Sequence, residues 1–262
     1  MLGWLTARRR RRILKAPFPR HWDDIIEANV AIAGRLDPVR RQRLRELVQV
    51  FVAEKHWEGC GGFELTDEVI VTIAAQACIL ILERDFELYK DVDSILVYES
   101  TVVTPPRHFG VFEQTRVMHG EGMAIRGEAM LGGPVVLAWD SVLAGGREEV
   151  PGNVVFHELA HKVDMASGAV NGTPPLGKRA RREWARVASA AYTRHRTYVE
   201  AGWPTLMDSY GATNEAEFFA VATETFFTHP AALIIEHPAL YAALADFYRI
   251  APDDISARSS IG

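Results

Sequence analysis

The residues best able to do chemistry stand close together in Val154 to Asp164, VVFHELAHKVD, which carries HExxH as His157, Glu158 and His161. On a helix, residues four apart share one face about a turn apart. Both imidazoles can therefore reach a single zinc ion, while Glu158 leans toward water held by that ion. Such a layout suits hydrolysis of a peptide bond. Val154, Val155, Phe156, Leu159, Ala160 and Val163 make the segment apolar nearly all round. The spacing thus predicts a buried helix, in which His and Glu need partners or a metal.

A catalytic zinc centre usually takes three protein ligands and keeps one open position. A metzincin-type third histidine is excluded, because Asp164 and Ser167 occupy the positions three and six residues after His161. A thermolysin-like choice would be Glu183 in RREWARV, on the most exposed and basic helix of the chain. The stretch Asn214 to Thr228, NEAEFFAVATETFFT, is a better source. Phe218, Phe219, Val221, Ala222, Phe226 and Phe227 bury it, so Glu217 and Glu224, two turns apart on one face, need partners or a metal. Glu217 is the expected third ligand, although its spacing from Asn214 also fits a capping box. Glu224 is expected to orient a ligating histidine, and Asp164 is a second candidate for such a supporting role. Glu224 and Asp164 remain the alternative ligands. Glu215 is expected to face solvent. Tyr210, in a DSYGATN loop, can donate to the oxyanion formed when water attacks a peptide carbonyl.

The elements that must hold these residues follow from periodicity. Trp22 to Ala33 and Pro38 to Lys55 read as helices, the second with Asp37 as cap and Leu36, Val39, Leu44, Leu47, Val48 and Phe51 as a core face. KHWEGCGGFELTDE reads as a glycine-broken loop in which His56 and Glu58 are surface residues, ending at Thr66 as the cap of the next helix. Val69 to Leu82, the longest apolar run, is too short for a membrane span and suits a core helix. From Asp93 the period becomes that of strands: SILVYES, then Thr101 to Thr104, then a glycine-punctuated, hairpin-rich stretch, then Val135 to Trp139 and a turn at Val142 to Gly146. A loop such as Arg107 to Gly122 is a candidate cover for the cleft. Lys178 to Tyr198 is a basic amphipathic helix with Trp184, Val187, Ala188 and Ala191 inward.

A chain of 262 residues with 48% hydrophobic and 24% charged residues is long enough for a sizeable core. Its net charge of -5 carries no global nucleic-acid signature. Two cysteines, Cys60 and Cys78, are too few for a disulfide framework and suggest a reducing compartment. Arg8 to Arg12 are unbroken arginine, and RRRILK resembles a twin-arginine export signal, but no hydrophobic stretch follows. Residues 1–21 therefore read as a flexible basic arm, 22–90 as a helical N-terminal subdomain, 91–250 as a catalytic domain and 251–262 as a tail.

HELAHKVD, YGATNEAEFFAVATETFF and the WDSV before the zinc helix together resemble the glucose-regulated metallopeptidase family, from about Trp22 through most of the chain. The catalytic part is also similar to lethal-factor-type zinc proteases. Arg8 to Arg12 are not matched to that pattern. The resemblance implies zinc ligands at His157, His161 and Glu217, a general base at Glu158 and a transition-state donor at Tyr210. It further implies a cytoplasmic, aminopeptidase-like enzyme that also binds a glucose-responsive transcriptional repressor of the Mlc type. The expectation is an α+β zincin-like peptidase with one Zn2+ per chain and a small sheet beside the HExxH helix. It acts on peptides, with no direct nucleic-acid partner and no membrane span. The rivals are a regulatory protein that sequesters a transcription factor, with zinc mainly structural, and a metal-dependent hydrolase of non-peptide amides.

Overall fold

Four side chains decide where the principal helices begin. The Asp37 carboxylate accepts the backbone N–H groups of Val39 and Arg40, the Thr66 hydroxyl that of Val69, Asn153 Oδ1 that of Phe156, and Asn214 Oδ1 those of Ala216 and Glu217. Each satisfies amide donors that the first helical turn leaves unpaired. The computed structural model describes residues 2–100, 102–103, 124–125, 127–129 and 133–252.

Within these residues the chain runs through helices α1 (Leu2–Ile13), α2 (Arg20–Asn29) and α3 (Pro38–Glu54), strand β1 (His56–Gly59) and helix α4 (Asp67–Leu80). Five strands follow: β2 (Ser94–Tyr98), β3 (Val102–Val103), β4 (Ala124–Ile125), β5 (Gly127–Ala129) and β6 (Val135–Ala138). Six helices complete it: α5 (Trp139–Gly146), α6 (Val154–Met165), α7 (Lys178–Glu200), α8 (Glu215–Thr228), α9 (Pro230–Glu236) and α10 (Pro238–Tyr248). The fold is α+β and zincin-like, mostly helical with one small mixed sheet.

The main sheet has the order β1-β2-β6-β5, parallel across β1, β2 and β6 and antiparallel between β6 and β5, while β3 and β4 pair separately. Parallel neighbours need a crossover, and α4 supplies it between β1 and β2. Ile95, Val97, Val135 and Leu137 point into the core, where α4 is buried from Val69 to Leu80 except at Ile70. α4 packs against α2, α3, α5 and α6.

Several expectations change. His56–Gly59 is not loop but an edge strand, whose glycine lets the Phe63 carbonyl approach: a Cβ on Gly59 would stand 1.9 Å from that oxygen. His56 and Glu58 do face outward. Because β1 is hydrogen-bonded to β2 and α4 packs on α6, residues 22–90 and 91–250 share one core. Trp139 opens helix α5 rather than ending a strand. Gly145 and Gly146 end that helix at a close approach, since a Cβ on Gly146 would lie 2.5 Å from the Asn29 carbonyl. Val39, expected in the core, is 80% exposed in the first turn of α3. Nor is the basic segment a free arm. Arg10 turns inward, forks onto Glu54 at 3.0–3.2 Å and lies 4.4 Å from the Phe86 ring centre, which fixes α1 to the body. The loop Arg107 to Gly122 and tail residues 253–262 lie outside the described residues.

Among the described residues no single helix is long and apolar enough to cross a membrane. α8 and α9 reach that length only together, across a 119° bend, and α8 is packed inside the protein.

Candidate metal centre

Helices α6 and α8 pack directly on each other, and the centre lies between them. Glu217 Oε2 is 3.0 Å from His157 Nε2 and 3.2 Å from His161 Nε2, and the two ring nitrogens are 3.2 Å apart. Tetrahedral zinc bonds of about 2.0–2.1 Å would separate neighbouring ligand atoms by about 3.3–3.4 Å, so this triangle has the size of one face of a zinc site. Two nitrogens and one carboxylate oxygen are a donor set suited to zinc. His157, His161 and Glu217 thus form a group able to hold a metal ion.

The two glutamates grip one imidazole from opposite sides. Glu217 meets Nε2 of His157, and Glu224 Oε1 meets Nδ1 at 2.6 Å. An Nδ1–H donated to Glu224 leaves the Nε2 lone pair directed at the centre. Glu224 Oε2 also accepts the backbone N–H of Asn153 at 2.8 Å, tying α8 to the start of α6. Asn153 Nδ2 donates to Gln76 Oε1 at 2.7 Å, and Gln76 Nε2 donates to the Val142 carbonyl at 3.2 Å. A buried polar chain thus runs from α4 through Asn153 and Glu224 to His157. Sequence reasoning missed Gln76 and Asn153. The signal available was a glutamine in an otherwise apolar helix and an asparagine at a helix start.

Asp164 does something other than support a histidine. Fully buried, it accepts the backbone N–H groups of Asn171, Gly172 and Thr173 at 2.8–2.9 Å and closes the loop after α6. Among the described residues His161 Nδ1 has no hydrogen-bond partner. Glu183 is exposed and pairs with Arg186, and Glu215 faces solvent.

Electrostatics separate the acids. Burial pushes Glu158 up to about 7, against the opposing pull of His157 and His161. A carboxyl near neutrality can both take and return a proton. Burial acts the same way on Glu217, but hydrogen bonds from both histidines outweigh it and hold that carboxyl far below its usual range. For His157, burial favours the neutral ring, yet Glu224 and Glu217 outweigh it and raise its pKa well above normal. Tyr210 lies in a 3-10 turn, Ser209–Ala212, with its ring centre 6.0 Å from that of His157. Burial, then the charges of Glu217 and Glu158, push its phenol up and keep it a donor. His195 in α7 holds the same turn, its Nε2 3.1 Å from the Asp208 carbonyl.

A family model described as glucose-regulated metallo-peptidase M90 matches residues 4–249. The chain belongs to this family. M90 peptidases use a metal, and the group of His157, His161 and Glu217 is the candidate site for it here. The family match begins inside α1 and so spans Arg8 to Arg12, which the motifs in the sequence left unmatched. An uncharacterized protein of Synechocystis sp. is 38% identical over 255 residues, covering 95% of this chain and 90% of its own. Mlc titration factor A proteins of Salmonella paratyphi B and Salmonella typhimurium are each 29% identical over 238 residues, covering 88% of this chain and 86% of theirs.

Proposed function

We propose that this protein is a zinc-dependent peptidase in which His157, His161 and Glu217 hold the metal, Glu158 is the general base and Tyr210 the oxyanion donor. The observation that carries the reading is the convergence of two imidazole nitrogens and one carboxylate oxygen within 3.0–3.2 Å on facing helices. Zinc bound there would supply Lewis acidity, making water acidic enough to ionise near neutral pH and polarising a substrate carbonyl.

The protein's own groups do the rest. Glu158 accepts a proton from the attacking water as the new C–O bond forms. It returns that proton to the amide nitrogen as the C–N bond breaks, releasing an amine and a carboxylate. The Tyr210 hydroxyl donates to the oxygen that gains charge in the tetrahedral intermediate. Glu224 keeps His157 in one tautomer and one orientation throughout. The extended substrate backbone adds beside β5, the edge strand of the sheet that lies against α6.

The substrate class is peptides with a free amino end, and the compartment is the cytoplasm. By analogy with the Mlc titration factor A relatives, a transcriptional repressor of the Mlc type is the partner. The decisive experiment compares the parent with Glu158→Gln. About one zinc per chain in both, with hydrolysis of a peptide-library substrate lost only in the variant, is the expected result. Full activity in Glu158→Gln would overturn the mechanism. Peptide amides with free and acetylated amino ends separate the aminopeptidase reading from an endopeptidase. Pull-down of an Mlc-type repressor by Glu158→Gln tests the partner, and no capture removes it.

A further inference from the structure

Helix α1 carries a surface that catalysis does not use. Of its five consecutive arginines Arg10 turns inward, to Glu54 and Glu87, and Arg9, itself exposed, reaches the Ala53 carbonyl at 3.4 Å. Thr6 and Ile13, on the same side of the helix, are also partly buried. Arg8, Arg9, Arg11 and Arg12 all face outward, and Trp4 and Leu5 in the first turn are 61% and 58% exposed. At 100° per residue, Trp4, Arg8 and Arg12 form one ridge, with Leu5 and Arg9 on one flank and Arg11 on the other. Arg8 lies 5.6 Å from the Trp4 ring centre, so the indole and the cations sit together. No acidic side chain occurs from Leu2 to Ile13, on a protein whose net charge is -5.

We propose that α1 is a docking surface for an anionic lipid bilayer. Trp4 and Leu5 enter the headgroup–acyl boundary, and Arg8, Arg9, Arg11 and Arg12 engage lipid phosphates. A ridge of cations ending in an exposed indole and an isobutyl group matches the interface, where charge and apolar depth lie a few ångströms apart. At physiological salt the Debye length is about 8 Å, so this local patch outweighs the distant negative surface of the protein. The Arg10 clamp fixes the ridge in place before any lipid arrives, which lowers the ordering cost of binding. Two exposed apolar residues favour lipid over nucleic acid, whose backbone would engage the arginines and leave Trp4 and Leu5 in water.

Flotation of the full chain with vesicles of phosphatidylcholine alone, or with added phosphatidylglycerol, tests the proposal. Binding is expected only to the anionic vesicles, weakening as salt rises. Arg8→Gln with Arg12→Gln should lower it by roughly thirtyfold, at about fivefold per arginine. Trp4→Ser with Leu5→Ser should lower it about tenfold or more with every arginine retained. None of these changes touches the Arg10 contacts, so unchanged circular dichroism and thermal melting are expected alongside. No flotation with anionic vesicles overturns the proposal. So does undiminished flotation of Trp4→Ser, Leu5→Ser, or binding to single-stranded RNA without binding to vesicles.

Discussion

Glu158 and Glu217 lie on facing helices around the same two histidines and are held at opposite ends of the carboxylate range. Glu158 stands near 7 because burial dominates. Glu217 is kept ionised because its hydrogen bonds with both histidines, and their charge, outweigh its burial. In the proposed mechanism this separates the proton carrier, Glu158, from the ligand, Glu217. Glu158→Gln should cost about a hundredfold to ten-thousandfold in kcat/KM with zinc retained, read by peptide hydrolysis beside elemental analysis. Glu217→Ala should lose most of its zinc. Glu224→Gln preserves shape but not charge at His157, and competition with a chelator should give zinc binding about 10–100-fold weaker. A separate prediction concerns Lys55, which burial holds at about 8 while its ammonium donates to the Tyr89 carbonyl. Below pH 8 the amine is charged in both states and its burial opposes folding. Between about 8 and 10.5 the unfolded chain binds more protons than the native one, so stability rises with pH. Denaturant melts across that window should show the rise in the parent and a flatter profile in Lys55→Met.

At the level of the element, the centre depends on how α6 and α8 begin. Asn153 caps α6 and also donates to Gln76, so Asn153→Ala loses the cap, about 1 kcal/mol, and leaves a buried acceptor unpaired, about 1–3 kcal/mol. Its backbone N–H still reaches Glu224. Lower stability with near-parental zinc content is therefore expected, and equal loss of both would contradict the cap account. Gly172 guards the start of α8. Its φ is 69°, its N–H donates to Asp164, and a Cβ there would lie 2.1 Å from the Glu215 carbonyl. Gly172→Ala should cost about 2–4 kcal/mol and shift Glu217, lowering zinc affinity as well as melting temperature. The helices themselves were legible in sequence, because Asp37, Thr66 and Asn214 each precede a periodic run and the HExxH spacing among apolar residues marks α6. The helical character of Trp139–Gly146 was not, since two glycines read as a turn, whereas Gly146 lets Asn29 and Gln76 approach and Gly145 lets Asn153 approach.

For the whole molecule, a metal held as proposed by His157 and His161 from α6 and by Glu217 from α8 would fasten two central helices together. A ligand that binds only the native state stabilises it, so chelation should lower the melting temperature and added zinc restore it. Glu217→Ala should show neither response, which calorimetry can check.

The sequence by itself determined the α+β zincin-like class, the pair of histidines and the family, because these depend on spacing along one helix and on motifs that survive without coordinates. It also singled out Glu217 and Glu224, since carboxylates in an apolar helix have few ways to exist. Tertiary structure alone decided what each acid meets: Glu217 and Glu224 divide the two nitrogens of His157, while Asp164 turns away to close a loop. It likewise decided that Arg10 anchors α1 and that Gln76 and Asn153 support the centre. Apart from the Asp164 loop closure, these contacts join residues 44 to 77 positions apart, and no local period encodes a partner at that distance.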